Sequence, residues 1–492
     1  MRAASPATAP VKCFVSPSGS DTAGSGTASR PFQSLAYAAA QVTASGSTIQ
    51  LAAGNYSVSA PIAVASGVSV IGAGADKTIL TGSHDGPLLD LDGGKGGQTL
   101  SGFKIDGSEK KLTYGINIGR SDVKVHKIAA EKTLAAAIHI AGGDVFTGIQ
   151  ISECNLKNCA HFDGGQHTGS IWMWNLEDCE FFDNTIFETD GYGIKAVGSD
   201  GDMRRCKIYR NNIEINLEHV IKGWAPFGIE IWNVAERVLI YENKIKGGIS
   251  LTGEGRKESA DRTVIMYDNL LDLRGKDSVG FEIHNNTDAE FYRNVVVHPN
   301  GAGGFLVMDG PGKDVGNYWP ADSNLHIHHN VIIGDPDLSK RDNVGHVGVW
   351  FDITRSCKDV FIYNNVFYGT TTGVDFTLGK IENIHIINNI FIGWQHVLGF
   401  GDGTASGLVV KNNVFWHDAD IMADTKAKIP ADAEIAGNFV NQNPGLRLEG
   451  DELALAYYVP SSKSSFVVGK GIDVGSPIKR KTSDIGPMGL AK

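Results

Sequence analysis

No run of about eighteen apolar residues occurs in this 492-residue chain, so nothing in it reads as a membrane-spanning helix. Cysteine is scarce. Cys13, Cys154, Cys159, Cys179, Cys206 and Cys357 include no Cys-x-x-Cys pair, which fits neither a disulfide-dense domain nor a zinc ribbon. Basic residues number 44 against 55 acidic, and a net charge of −11 argues against a general binder of nucleic acid or anionic membrane. The opening stretch, Met1 to Cys13, has no apolar signal core. Its Ala/Ser/Pro-rich character is what often follows an export signal. The expectation is therefore a secreted or periplasmic protein whose signal peptide is not in this chain, with residues 1–11 disordered or a leader remnant. Proline is sparse at 16 residues, whereas glycine reaches 61, about 12% against a usual ~7%. The hydrophobic share of 42% excludes a disordered chain. Length alone suggests two to four domains, a prior that fails for a repetitive solenoid.

Repeats are present, in two columns. The first is apolar-x-x-Asn-x-apolar, centred on Asn184, Asn211, Asn243, Asn269, Asn294, Asn330, Asn365, Asn389, Asn413 and Asn438, with Cys154 in the same slot. The second is a small residue followed by apolar-x-apolar-x, as in GINIG from Gly115, AIHIA from Ala137, SIWMW from Ser170, GIKAV from Gly193 and GIEIW from Gly228. It continues as GISLT from Gly248, GFEIH from Gly280, GFLVM from Gly304, GVWFD from Gly348 and GVDFT from Gly373. Short alternating runs read as strands, and two strand signals per repeat of about 25 residues mean stacked parallel coils. An asparagine recurring at one turn can hydrogen-bond the coils on either side and satisfy backbone that stacking buries.

These residues, with the opening FVSPSGSD, RPFQSLAYAAAQV and STIQLAAGNY, resemble the right-handed parallel β-helix, pectate-lyase-like superfamily. The resemblance implies an all-β, single-domain solenoid of roughly a dozen coils over 12–492, with an asparagine ladder. It also implies an N-terminal cap region over 12–60, whose capping helix is Pro31 to Val42, and a closing segment over 446–492. Cys179 and Cys206 fall in an inward column, where they read as small buried hydrophobes; in a secreted protein a disulfide between their adjacent coils is an alternative.

By the same resemblance the glycine-led strand is the first of each coil, and substrate grooves run along that sheet. Second and fourth strand positions point inward, so third and fifth positions face the groove. The third positions are Asn117, His139, Trp172, Lys195, Glu230, Ser250, Glu282, Leu306, Trp350 and Asp375. The fifth include Trp174, Trp232, Thr252, His284, Met308, Asp352 and Thr377. A solvated sheet face would not carry four tryptophans, and an aromatic face lined with acids suits a sugar chain. Loops cluster near the same coils; one contains Tyr318 and Trp319, another His346. Trp172, Trp174, Trp232, His284, Trp319 and Trp350 are therefore the expected substrate binders.

Three functions fit. Glycoside hydrolysis leads: Glu230 and Glu282, two strands apart in one column, have the spacing that leaves room for a water between acid and base. Asp309 and Asp352 stand as second-choice carboxylates. The alternative is a polysaccharide lyase that eliminates across a uronic acid, with Lys195 as base and Ca²⁺ as a candidate cofactor, for which Ser199-Asp200-Gly201-Asp202 offers oxygens. Lys195 also reads as a solvated lysine or as an ion pair with Glu230. A non-catalytic glycan-binding β-helix is the third function. Subfamily motifs do not decide among them: Asn286-Thr287-Asp288 occurs without the other polygalacturonase-type motifs, and the pectate-lyase Trp-Ile-Asp-His and epimerase Asp-Pro-His are missing. The expected partner is a poly- or oligosaccharide, without nucleic acid or a membrane span.

Overall fold

Strands of three to six residues cannot bury an apolar face alone, and here they do so by stacking. In the computed structural model the chain is an all-β parallel solenoid of about 12 turns. The structure describes residues 9–109, 111–140, 143–160, 168–196, 203–216, 227–253, 263–274, 279–284, 288–298, 303–308, 323–335, 346–416, 420–422, 428–451, 453–462, 465–474 and 484–486. They fall into two compact units, Met1–Trp232 and Asn233–Lys492.

In the first unit a helix, Leu35–Gln41, forms inside the helical segment expected from the sequence. Ser34 accepts from the Tyr37 N–H as its N-cap and itself donates to Asp21. Leu35, Ala38 and Ala39 are buried, and the helix packs on the strands Lys12–Val15, Thr48–Leu51 and Ile62–Ala63. A representative coil runs through Gly169–Met173, Leu176–Glu177, Glu180–Phe182 and Thr185–Thr189. Each strand pairs in parallel with its counterpart in the next coil, Ile171 on Ile194, Phe181 on Ile208 and Ile186 on Ile213. All six of these side chains are fully buried. The six cysteines are free thiols and buried, Cys179 and Cys206 included, so no disulfide joins their coils. Burial pushes the Cys206 thiol well above its ordinary range, which suits a packing residue.

The asparagine column is a ladder of hydrogen bonds. In the first unit the Asn184 amide donates to Asn211 Oδ1 at 3.0 Å, and the Cys154 N–H donates to Asn184 Oδ1. In the second unit the chain is unbroken from Asn243 through Asn269, Asn294, Asn330, Asn365, Asn389 and Asn413 to Asn438. Each Oδ1 also accepts the backbone N–H of the asparagine before it, and each Nδ2 from Asn269 on also donates to a backbone carbonyl, as Asn330 does to Phe291 at 2.9 Å. One amide thus satisfies four buried partners. The residue before each ladder position adopts a left-handed conformation, with φ from 51° to 60° at Asp183, Arg210, Glu242, Asp268, Arg293, His329, Asn364, Asn388 and Asn412. After glycine, asparagine is among the residues that tolerate that region best, and in the later coils it has a second task. Asn364 donates to the carbonyls of Asp484 and Gly486, and Asn388 to that of Ile472, which fasten the C-terminal segment. Leu446, Tyr458, Val467 and Ile485 from that segment bury themselves against Val331, Val366, Ile390 and Val414.

Asn330→Ala should therefore cost about 2–4 kcal/mol, since the Asn294 N–H, one hydrogen of the Asn294 amide and the Phe291 carbonyl lose the partner they have in Asn330. Denaturant unfolding checks this against Asn55→Ala, an exposed site expected to stay within about 0.5 kcal/mol of the parent.

Candidate active site

Strict parallel register turns one strand position into a column. In the first unit Asp90, Asn117, His139, Trp172, Lys195 and Glu230 are successive register partners on the first sheet. Their apolar neighbours Ile171, Ile194, Ile229 and Ile231 fill the interior, so these six face outward.

Lys195 and Glu230 form an ion pair, with side chains 3% and 7% exposed. The ammonium also lies 3.8 Å from the centre of the Tyr192 ring and 6.0 Å from that of Trp232. Glycine at position 169 makes room for this: a Cβ there would stand 2.9 Å from the Lys195 Cβ. Burial depresses the Lys195 pKa below its ordinary value, while Glu230 pulls it back up without reversing the shift. Removing two charges from water costs roughly several kcal/mol per ion, so a buried pair adds little stability in itself.

Beside the pair, Trp172 and Trp174 lie 6.2 Å apart, and both are half-buried. The Trp172 Nε1 is buried and has no hydrogen-bond partner among the described residues. His139 is stacked on Tyr114 at 4.3 Å and leans on Trp172 at 5.1 Å. Its Nδ1 is 2.8 Å from Asn117 Oδ1, and the Asn117 amide donates to Asp90 at 2.9 Å. Burial lowers the His139 pKa to about 4.

In the second unit the column runs Ser250, Glu282, Leu306, Trp350 and Asp375. Glu282 Oε1 accepts from Ser250 Oγ and meets His284 Nε2, each at 2.8 Å. The Trp350 indole donates to Thr377 at 2.7 Å, and Thr377 donates to Asp375, whose pKa burial raises. Asp352 follows Met308 as expected but faces Leu378 rather than Thr377, because one extra residue bulges out of the later strand. Glu230 and Glu282 fall in different units. Asp309, Trp319 and residues 199–202 lie outside the described residues, as do Tyr318 and most of the long inserted segments. Among the described residues no group of three or more His, Cys, Asp or Glu is placed to hold a metal ion.

Sequence reasoning missed Asp90, Tyr114 and Tyr192. Both tyrosines directly precede a glycine that opens a strand, a Tyr-Gly signal that was available. Asp90 sits in PLLDLD, which alternates without a leading glycine.

Residues 15–239, just under half of the chain, match the family model described as rhamnogalacturonase A/epimerase, pectate lyase-like. Over those residues the chain is similar to that pectate-lyase-like family, and the parallel β-solenoid agrees with the resemblance read from the sequence. No curated protein sequence matches it. Similar solved structures include the A-module of an Azotobacter vinelandii mannuronan C-5 epimerase, at 15% identity and TM-score 0.40 over 82% of this chain and 93% of that one. A Streptococcus pneumoniae surface adhesin matches at 12% identity and 0.41, over 80% and 85%. The tailspike of Acinetobacter baumannii bacteriophage Fri1, a capsular polysaccharide depolymerase, matches at 12% and 0.33, over 73% and 57%. These neighbours are a catalyst, an adhesin and a depolymerase, and likeness at this level does not choose among them. No described helix is long and apolar enough to cross a membrane.

The His139 pKa has a consequence for stability. The unfolded chain takes up a proton near the ordinary value of 6.5, and the folded chain only near 4, so stability is lost as pH falls through that window. The full loss is about 3 kcal/mol, of which about 2 kcal/mol falls between pH 7 and pH 5. Denaturant unfolding at those two pH values should show a smaller acid loss for His139→Phe than for the parent.

Proposed function

We propose that the protein is a carbohydrate-active enzyme that cleaves glycosidic bonds in a uronic-acid-containing poly- or oligosaccharide, held on the outer face of the first sheet. The observation that carries this reading is the buried Lys195–Glu230 pair. A structural face has no need to desolvate two charges, and perturbed charged groups of this kind gather where chemistry is done. The half-buried indoles of Trp172, Trp174 and Trp232 supply apolar surface for sugar rings. The partnerless N–H of Trp172 supplies a donor for a sugar oxygen.

The pair favours β-elimination over the carboxylate-pair hydrolysis that leads from sequence alone. A carboxylate in contact with an ammonium is poorly placed to deliver a proton to a leaving group. A lysine with a depressed pKa is well placed to remove one. In the step proposed, the neutral Lys195 amine takes the C5 proton of the uronate. The C5 electron pair forms the C4=C5 double bond as the C4–O4 bond breaks, and the new ammonium returns its proton to O4. Glu230 stabilises that ammonium and holds it in place. Hydrolysis retains one specific support, the Glu282 carboxylate with its Ser250 and His284 contacts. Action outside the cytoplasm belongs to the same proposal, since polymeric substrates of this class lie there.

A panel of polyuronates, followed for reducing ends and for the ultraviolet absorbance of the unsaturated uronate, tests the reading. Both signals should rise together, faster as pH climbs toward the depressed lysine pKa. Lys195→Ala and Lys195→Arg should each lower turnover by about 10²–10⁴. Reducing ends without absorbance, lost in Glu282→Gln and kept in Lys195→Arg, would replace elimination by hydrolysis. Unchanged turnover in all three variants would remove the site.

A further inference from the structure

Two strands from the proposed base, the column holds a second arrangement whose chemistry can be worked out by counting donors. The Asp90 carboxylate only accepts hydrogen bonds, so the Asn117 amide must turn its NH₂ toward it, as the 2.9 Å contact shows. That orientation leaves Asn117 Oδ1, an acceptor, facing His139 Nδ1 at 2.8 Å. Nδ1 must then carry the proton. A neutral imidazole has one N–H, so the lone pair is left on Nε2. No described residue hydrogen-bonds that Nε2. Stacking on Tyr114 at 4.3 Å and contact with Trp172 at 5.1 Å fix the ring plane. Arg120, buried and bonded to the carbonyls of Leu91, Val64 and Asp92, adds positive charge near Asp90.

We propose that Asp90 and Asn117 are positioning residues that lock His139 into the Nδ1–H tautomer, so that Nε2 is a permanent hydrogen-bond acceptor for a hydroxyl of the bound sugar. This rests on the glycan reading above and names a specificity determinant within it. The acceptor is uncharged, so it selects a hydroxyl donor and gives no attraction to a carboxylate at that position. Its low pKa keeps it in this state well into the acid range. Sugars that lack the hydroxyl, or bear an O-substituent there, leave this acceptor unpaired beneath the bound chain and are disfavoured.

Long-range proton–nitrogen NMR of the full chain with isotope-labelled histidine reads the tautomer directly, with His139→Gln assigning the signals. At neutral pH the parent should show a protonated Nδ1 and a bare Nε2, and Asp90→Asn, which no longer dictates the amide orientation, should show the Nε2–H form. In cleavage assays His139→Leu should raise KM about tenfold with kcat within about threefold, and His139→Gln, which restores a carbonyl acceptor, should recover most of the loss. An Nε2–H imidazole in the active parent overturns the proposal, as does an unchanged KM in His139→Leu. A bare Nε2 in a protein that cleaves and binds no glycan overturns the sugar as ligand through failure of the broader reading, and leaves the locked tautomer standing.

Discussion

Parallel register is the constraint from which everything else in this molecule follows. Strands of successive coils lie about 4.8 Å apart and pair residue for residue, so a side chain's neighbours are set by its position in the repeat and not by sequence distance. Lys195 and Glu230 are 35 residues apart and touch; Asn294 and Asn330 are 36 apart and share a hydrogen bond. From Asn184 onward, coils of unequal length keep this alignment because the asparagine ladder holds the same turn in successive coils. The extra residues are pushed out into the connections.

That constraint also accounts for the polar column on the first sheet. Along a solenoid, any residue type placed at one outward position meets its counterpart in the next coil, so like charges repel and complementary groups pair. In the first unit the sequence Asp90, Asn117, His139, Trp172, Lys195, Glu230 alternates acceptor, amide, imidazole, indole, cation and anion. Each member finds a partner above or below. The outer faces of the other sheets show the ordinary form of the same rule, as with Lys207 on Glu180 and Arg210 on Asp183, where the pairs are partly exposed and of small energetic weight. Burial separates the Lys195–Glu230 pair from these surface ladders and makes it the candidate for chemistry.

Much of this was legible in the sequence because a period-two strand and a fixed turn residue leave an unambiguous pattern. The third-position column from Asn117 to Glu230, and again from Ser250 to Asp375, could be written down by counting from each small residue. The ladder could be written down from its asparagines. The rest depends on facts that periodicity does not carry. Whether Lys195 is solvated or paired with Glu230 depends on how deeply the face is covered, and alternation says only which way a side chain points. Asp90 and the two tyrosines escaped because the motif was keyed to a leading glycine. The Asp352–Leu378 register escaped because a bulge inserts one residue without a compositional mark. The asparagine doublets at 364, 388 and 412 were visible, but the task of the first member, holding the C-terminal segment, needed the fold.

We propose that the sugar chain lies on the outer face of the first sheet in the first unit. A crystal structure of the Lys195→Ala chain with an acidic oligosaccharide tests it most directly. Sugar rings should lie against Trp172 and Trp174, with a uronate C5 pointing at the vacated amine position and a hydroxyl on His139 Nε2. Oligosaccharide bound at a different face, with this column unaltered and untouched, would contradict it.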